Sequence, residues 1–284
     1  MQARPYFEVD VFGTERYLGN PLAVVADAQG LDTQQMQQFA RWTNLSETTF
    51  LMAPTHPDAD YQVRMFTPSR ELPFAGHPTL GSCHAWLLQG NMPRAGTQIV
   101  QQCALGLVHL RRDSARLAFC APPMRRASID NAALAPVLDA LGLAKEAVRK
   151  AQWLDNGPRW LGLLVDSAQT VLSLEPNHAV LQSMGLVGVI GPCKNAAAAG
   201  PRHLCDFEVR AFAAAAGVPE DPVTGSLNAA LGQWLISEGL APAHYVVSQG
   251  ARLKRSGQLF IELCEGQLWV GGDCFTCVQG TVQL

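Results

Sequence analysis

Apolar and polar residues alternate along much of this chain, with the two-residue period of β-strands. Residues 5–12 alternate in this way, and the turn Gly19-Asn20-Pro21 leads into a second apolar strand at residues 22–25. An amphipathic helix is expected to begin after Asp32, because Asp32 and Gln35 have the spacing of a capping box. The pattern therefore predicts many short strands and few helices.

The second half of the chain shows the same order of elements. A helix is expected over residues 131–141, where apolar residues recur at helical spacing and Gly142 follows as a stop signal. Further strands are expected at residues 160–165 and 170–174. The turn Ala121-Pro122-Pro123-Met124 separates the halves, which predicts domains at residues 1–120 and 121–284 and leaves open whether the last strand crosses back.

One segment of the first half recurs in the second half. Val63-Arg64-Met65-Phe66 returns as Val209-Arg210-Ala211-Phe212, and the stretch that begins with His77-Pro78 returns as the stretch that begins with Asp221-Pro222, in each case about 145 positions later. Each copy predicts a strand, a short turn and a helix with proline at its first position. An internal duplication is the simplest explanation.

Two helix N-termini in equivalent places suggest a site for a small acid. Backbone N–H groups at these two helix ends would bind a carboxylate or an enolate, assisted by the helix dipoles. His77 and Asp221 occupy the same place in the two copies, and both side chains can carry protons. The structural alternative is that Asp221 only caps its helix and His77 only forms a turn.

Glu47 stands at the entrance to an apolar, β-branched run at residues 48–52. A partly desolvated carboxylate holds its proton more readily, which suits it to carry protons in catalysis. The alternative, a solvated loop glutamate, is favoured by the spacing alone.

Composition narrows the classes of function. Only 16% of the 284 residues are charged and the net charge is −3, which weighs against nucleic acid as the main partner. We expect a cytoplasmic protein without a membrane partner, because no apolar run has the length of a membrane span and the N-terminus lacks an apolar signal core. The eight cysteines are scattered, apart from Cys274 and Cys277, so we expect reduced structural thiols and no metal site.

Six motifs in the same order resemble the phenazine-biosynthesis, PhzF-like family of isomerases across nearly the whole chain. They begin at Gly19, Ser46, Arg64, Glu71, Gly157 and Asp221 and read GNPLAVV, SETTF, RMFTP, ELPFAGHPTLG, GPRW and DPVTGS. The resemblance implies an α+β, diaminopimelate epimerase-like fold with two similar domains. Each domain would be a mostly antiparallel sheet wrapped around a central helix, with the active site in the cleft between them. It also implies an enzyme without a cofactor, commonly a homodimer, acting on a small carboxylate.

The resemblance also implies roles for individual residues. Glu47 would be the main proton carrier, and His77, Asp221 and Ser226 would surround the substrate and help to move its proton. Substrate-binding roles would fall to Asn20, Gly76, Asn156, Gly157, Thr224 and Gly225. The chain departs from the family pattern at Lys254, which stands where the family has glycine.

The predicted reaction moves a proton between carbons of a small carboxylic acid, cyclic or open-chain. The substrate that the family's name implies is 2,3-dihydro-3-hydroxyanthranilate. One alternative is an amino-acid epimerase or racemase of the same superfamily, which uses two facing cysteines. Phe74-Ala75-Gly76-His77 and Glu220-Asp221-Pro222-Val223 contain no thiol, which disfavours it. Another alternative is a binding protein without catalytic activity.

Overall fold

The computed structural model describes residues 1–94, 96–113, 116–193 and 205–284. This part of the chain divides into two compact units, one made of Met1–Cys120 with Gly271–Leu284 and the other of Ala121–Val270. Each unit is a mostly antiparallel sheet with one central helix, so the predicted α+β fold with two similar domains is confirmed. Within the described ranges, no helix is long and apolar enough to cross a membrane.

The strands account for most of the regular structure. In chain order they are β1 (Ala3–Val11), β2 (Asn20–Val25), β3 (Glu47–Met52), β4 (Tyr61–Phe66), β5 (Glu71–Leu72), β6 (Gln98–Cys103), β7 (Gly106–Asp113), β8 (Arg116–Cys120), β9 (Arg125–Ala127), β10 (Val148–Asp155), β11 (Arg159–Val165), β12 (Leu186–Pro192), β13 (Phe207–Ala213), β14 (Val218–Asp221), β15 (His244–Gln249), β16 (Gly257–Cys264), β17 (Gln267–Gly272) and β18 (Cys274–Gln283).

The helices are fewer and shorter. They are α1 (Thr33–Thr43), α2 (Gly76–Leu88), α3 (Asn131–Leu141), α4 (Ala168–Ser173), α5 (His178–Leu181) and α6 (Gly225–Ser237), with single 3₁₀ turns at Lys145–Ala147, Ala214–Ala216 and Ala251–Leu253.

The strands of the two units pair in the same pattern. In the first unit β2 pairs with β1 in antiparallel and with β3 in parallel orientation, while β4 pairs antiparallel with β3 and β5 and parallel with β6. In the second unit β11 pairs antiparallel with β10 and parallel with β12, while β13 pairs antiparallel with β12 and β14 and parallel with β15. The shared pattern is what an internal duplication would leave.

Each unit has a central helix of 13 residues, α2 or α6, that contains no Asp, Glu, Lys or Arg. Ten of the 13 residues are buried in each helix. A helix that is buried on all sides needs apolar or small residues around its whole circumference, which explains why neither helix is amphipathic. Small residues also allow close packing, since a Cβ at Gly81 would lie 2.5 Å from Cδ2 of Leu22.

An arginine–glutamate ion pair joins two strands in each unit, β4 and β5 in the first and β13 and β14 in the second. Arg64 donates through Nε and Nη2 to Glu71 at 2.7 and 2.6 Å, and Arg210 donates in the same way to Glu220 at 2.9 and 2.8 Å. The Arg210 and Glu220 side chains are only 4% and 6% exposed, against 23% and 32% for the first pair. Loss of one partner is therefore far more costly in the second unit, about 3–5 kcal/mol for a buried pair.

These ion pairs correct the alignment of the two halves. Glu71 lies seven residues after Arg64, but Glu220 lies ten after Arg210, because the Ala214–Ala216 turn adds three residues in the second half. The segment that begins at Glu71 therefore matches the segment that begins at Glu220, with Glu, Pro and Gly in common.

The predicted helix starts are consequently wrong. The central helices begin at Gly76 and Gly225, so Pro78 is the third helical residue and Pro222 precedes its helix. Pro78 still lies in the first turn, where an N–H group has no partner within the helix. The predicted equivalence of His77 and Asp221 is also wrong, since both His77 and Ser226 are the second residue of their helices.

Local signals were reliable for two helices and misleading for a third. The capping box of Asp32 and Gln35 is present at α1, and α3 spans Asn131–Leu141 with Gly142 in the left-handed conformation, as predicted. The strand predicted at residues 170–174 is wrong. That segment belongs to α4, where Ser167 caps the helix by accepting a bond from the Thr170 N–H at 3.2 Å.

Lys254 has a left-handed backbone with φ of 58°. A residue with a side chain is disfavoured there by about 1–2 kcal/mol, whereas glycine is not. The greater entropy of glycine in the unfolded chain offsets part of this difference. We therefore expect Lys254→Gly to raise the free energy of unfolding by about 0.5–1 kcal/mol, measured by urea unfolding. Lys254→Ala keeps a Cβ and should show no such gain; an equal gain in both variants would contradict the assignment to the backbone.

Candidate active site

In the first unit, three of the predicted site residues meet at the N-terminus of α2. Asn20 and Glu47 are the first residues of β2 and β3, which run in parallel with Leu22 opposite Glu47, and His77 is the second residue of α2. Nε2 of His77 lies 3.4 Å from Oε2 of Glu47, and Nδ1 of His77 lies 3.4 Å from Nδ2 of Asn20. The fold thus places one carboxylate and one amide on opposite sides of the imidazole.

This environment keeps the imidazole of His77 neutral. The ring is only 4% exposed, and burial lowers the pKa of His77 to about 3. A carboxylate at 3.4 Å favours the charged form, but desolvation of a fully buried ring is the larger effect. With the amide nitrogen of Asn20 as the donor to Nδ1, the proton of the neutral ring would lie on Nε2, the nitrogen nearest Glu47.

In the second unit, the remaining predicted catalytic residues lie around the N-terminus of α6. Asp221 ends β14, Thr224 is the N-cap residue and Ser226 is the second residue of the helix. The Thr224 hydroxyl donates to Oδ2 of Asp221 at 2.6 Å. Asp221 and Ser226 therefore flank the same helix start, although the carboxylate is supplied by the strand before it.

Ser226 is held by two residues from the β10–β11 hairpin. Nε1 of Trp160 donates to the Ser226 hydroxyl oxygen at 3.3 Å, and Nδ2 of Asn156 donates to the Ser226 carbonyl at 2.8 Å. Because its oxygen accepts from the indole, the serine hydroxyl keeps its own proton for another acceptor. Gly157 is exposed and forms the hairpin turn with φ of 119°.

Trp160 is the site residue that sequence reasoning missed. Its indole reaches Ser226 across 66 residues of chain, and no local pattern announces such a bond. The available signal was the segment Gly157-Pro158-Arg159-Trp160, which was identified as a motif without a role for its tryptophan.

Both helix N-termini lack a capping side chain. Neither Ala75 nor Thr224, the two N-cap residues, makes a side-chain hydrogen bond to the first turn. First-turn N–H groups have no partner within the helix, so such a terminus attracts an anion. The helix starts at Gly76 and Gly225 therefore have the chemistry expected of carboxylate-binding residues.

The alignment of the two halves at the ion pairs also concerns the alternative of an epimerase or racemase with two facing cysteines. The equivalent helix starts are Gly76-His77 and Gly225-Ser226, instead of the segments ending at His77 and Val223 that the sequence suggested. Neither contains a thiol. All eight cysteines are thiols that form no disulfide in the described part of the chain. Among the residues with a described position, no group of three or more His, Cys, Asp or Glu side chains is arranged to hold a metal ion.

Comparison with known proteins places this chain in a family. The family model described as phenazine biosynthesis-like protein matches residues 9–277. The chain is 35% identical to the Antisense-enhancing sequence 1 protein of Schizosaccharomyces pombe over 99% of both chains. It is 32% identical to the trans-2,3-dihydro-3-hydroxyanthranilate isomerase of Pseudomonas aeruginosa, covering 90% of this chain and 88% of that protein.

A solved structure shows the same fold. The PhzF-family phenazine biosynthesis protein of Bacillus anthracis superposes with a TM-score of 0.84, at 20% identity and with both chains covered completely. The family match, the named relatives and the fold agree along nearly the whole chain. The chain therefore belongs to the phenazine biosynthesis-like, PhzF family and is an isomerase.

Proposed function

We propose that this isomerase moves a proton between carbons of a small carboxylic acid, cyclic or open-chain, with Glu47 as the acid and base. Glu47 removes a proton from an activated C–H bond and returns it to another carbon of the same molecule. Substrate and product then have the same composition, so no oxidant, reductant or second substrate is needed. No cofactor or metal ion is invoked.

The observation that carries this proposal is the contact between Glu47 and the neutral imidazole of His77. Glu47 begins a strand whose next four residues are buried, and its side chain is 16% exposed, so it is partly shielded yet accessible. Nε2 of His77 lies 3.4 Å from Oε2 of Glu47, and an N–H group on this nitrogen would be suited to orient the carboxylate or to bind a substrate oxygen. General acid–base groups of this kind contribute about 10²- to 10⁴-fold to a rate.

The second unit supplies groups suited to the developing negative charge. The Ser226 hydroxyl keeps a proton to donate because its oxygen accepts from Trp160, and the uncapped first turn of α6 attracts an anion. Asp221 is a second proton-carrying group beside this helix start. We propose that these groups act on the same substrate as Glu47, as the family resemblance implies.

The same chemistry and one relative support the proposed substrate class. Helix N-termini and a serine hydroxyl suit a carboxylate, and a relative at 32% identity is named for trans-2,3-dihydro-3-hydroxyanthranilate. That acid is therefore the first candidate. We also propose that the enzyme is a cytoplasmic homodimer with no nucleic-acid or membrane partner, on the strength of the family resemblance and the low charge of the chain.

Glu47→Gln tests the proposed proton carrier. The substitution preserves the shape of the side chain but removes its ability to take up a proton. We expect exchange or isomerisation of trans-2,3-dihydro-3-hydroxyanthranilate in D₂O, followed by proton NMR, to be about 10²- to 10⁴-fold slower than with the wild type.

Glu146→Gln is the matched control, because Glu146 is an exposed glutamate in a 3₁₀ turn of the second unit, and its rate should equal that of the wild type. Full activity in Glu47→Gln would refute the role of Glu47. If the wild type acted on none of a panel of cyclic and open-chain carboxylic acids, the proposed reaction itself would be refuted.

His77→Gln tests whether the imidazole is neutral. The unfolded chain binds a proton at His77 below a pH of about 6.5 and the folded chain only near 3, so acid favours unfolding in this range. Relative to His77→Gln, we expect the wild type to lose about 1.4 kcal/mol of unfolding free energy for each pH unit below about 6. Urea unfolding at pH 7, 6 and 5 measures this difference, and parallel pH dependences of the two proteins would show that His77 has the same pKa in the folded protein as in the unfolded chain, which would contradict the neutral assignment.

A further inference from the structure

We propose that Gln249 is a positioning residue that orients the carboxylate of Asp221 through the hydroxyl of Thr224. This inference rests on the proposed function, in which Asp221 lies beside the substrate. Gln249 ends β15 and is 1% exposed, and it is assigned no role by the family resemblance or by the preceding account of the site.

Every hydrogen-bonding position of the Gln249 amide is used. Its Oε1 accepts from the Thr224 N–H at 3.1 Å and from Nδ2 of Asn228 at 2.9 Å. Its Nε2 donates to the Asp221 carbonyl at 3.0 Å and to the Thr224 hydroxyl oxygen at 2.9 Å. Two acceptor and two donor positions are all that a glutamine side chain offers, so this buried amide is fully satisfied.

The partners fix the orientation of this amide. The Thr224 N–H can only donate and the Asp221 carbonyl can only accept, so exchanging the oxygen and nitrogen of Gln249 would set donor against donor and acceptor against acceptor. The bonds therefore specify one orientation, with the nitrogen toward the Thr224 hydroxyl.

That orientation determines the direction of the Thr224 hydroxyl. A hydroxyl has one proton, and since its oxygen already accepts from Gln249, the proton is directed to the remaining neighbour, Oδ2 of Asp221 at 2.6 Å. A hydrogen bond to an ionised acceptor is about twice as strong as one between neutral groups, and a chain of such bonds is cooperative. Gln249 thus acts on Asp221 through Thr224.

The backbone around Gln249 is packed tightly against the same turn. A Cβ at Gly250 would lie 2.7 Å from the carbonyl oxygen of Pro222, and a Cβ at Gly257 would lie 2.4 Å from Cγ2 of Val223. A side chain at either glycine would therefore require the atoms of Pro222, Val223 or Gln249 that lie against it to shift. The strand ends that flank residues 250–256 therefore form a rigid support for the catalytic turn.

Thr224→Val and Thr224→Ser separate positioning from packing. Valine keeps the branched shape without the hydroxyl, and serine keeps the hydroxyl without the methyl group. If Gln249 and Thr224 orient Asp221, we expect kcat to fall about 10- to 100-fold in Thr224→Val with KM within about twofold, and to stay within about threefold of the wild type in Thr224→Ser. A purely structural role predicts similar losses in both variants.

Gln249→Met, alone and combined with Thr224→Val, tests the order of the chain of bonds. Because Gln249 acts through the hydroxyl, its substitution should lower kcat in the wild type but add less than about threefold in the Thr224→Val background. Multiplicative losses would overturn the proposal. If Gln249→Met does not fold, the kcat values of Thr224→Val and Thr224→Ser still decide whether the proposal holds.

Asp221→Asn and crystal structures separate this inference from the proposed function. If Asp221→Asn is inactive while Thr224→Val is fully active, the inference fails and the proposed function stands. If the wild type is inactive on the whole acid panel, crystal structures still decide. The Asp221 carboxylate should rotate away from its wild-type position in Thr224→Val and keep it in Thr224→Ser, and an unmoved carboxylate in both would overturn the proposal.

Discussion

Burial of a central helix within a sheet is the constraint on which the rest of each unit depends. A helix enclosed on all sides cannot carry charged residues, and its backbone polar groups are free only at its ends. The N-termini of α2 and α6 are therefore where each unit can present uncompensated N–H groups to a ligand, and the site residues collect there for that reason. The position of the candidate site residues is thus a consequence of burying the central helices.

The two halves have diverged in a reciprocal way at these helix starts. Glu47 pairs with Leu22 at the start of β3, and the equivalent residue at the start of β12 is Leu186, which pairs with Trp160. In the alignment at the ion pairs, Asp221 of the second unit corresponds to Leu72 of the first. Each unit thus has a carboxylate where the other has leucine. One half combines a carboxylate with a neutral imidazole, and the other combines a carboxylate with two hydroxyls. A duplicated scaffold has therefore acquired two different sets of proton-handling groups.

Much of this was predictable from the sequence, and the failures have physical causes. Capping at α1, the span of α3 and the two buried helices follow from local signals, and the motifs identified the family. The predicted start of α6 was wrong because Asp221-Pro222 resembles His77-Pro78 in sequence. The three-residue turn that shifts the true alignment consists only of alanines, which give no turn signal. The bonds of Ser226 with Trp160 and of Thr224 with Gln249 join distant parts of the chain, which local patterns cannot reveal.

The central claim is that one carboxylate, Glu47, carries the proton from one carbon of the substrate to another. The most direct test is to deuterate trans-2,3-dihydro-3-hydroxyanthranilate at the carbon that loses its proton and to analyse the product by mass spectrometry at low conversion in ordinary water. A single shielded carrier predicts that part of the deuterium reappears at the new carbon in the wild type and that product formation is lost in Glu47→Gln. Product that contains no transferred deuterium, or transfer that persists in Glu47→Gln, would contradict the account.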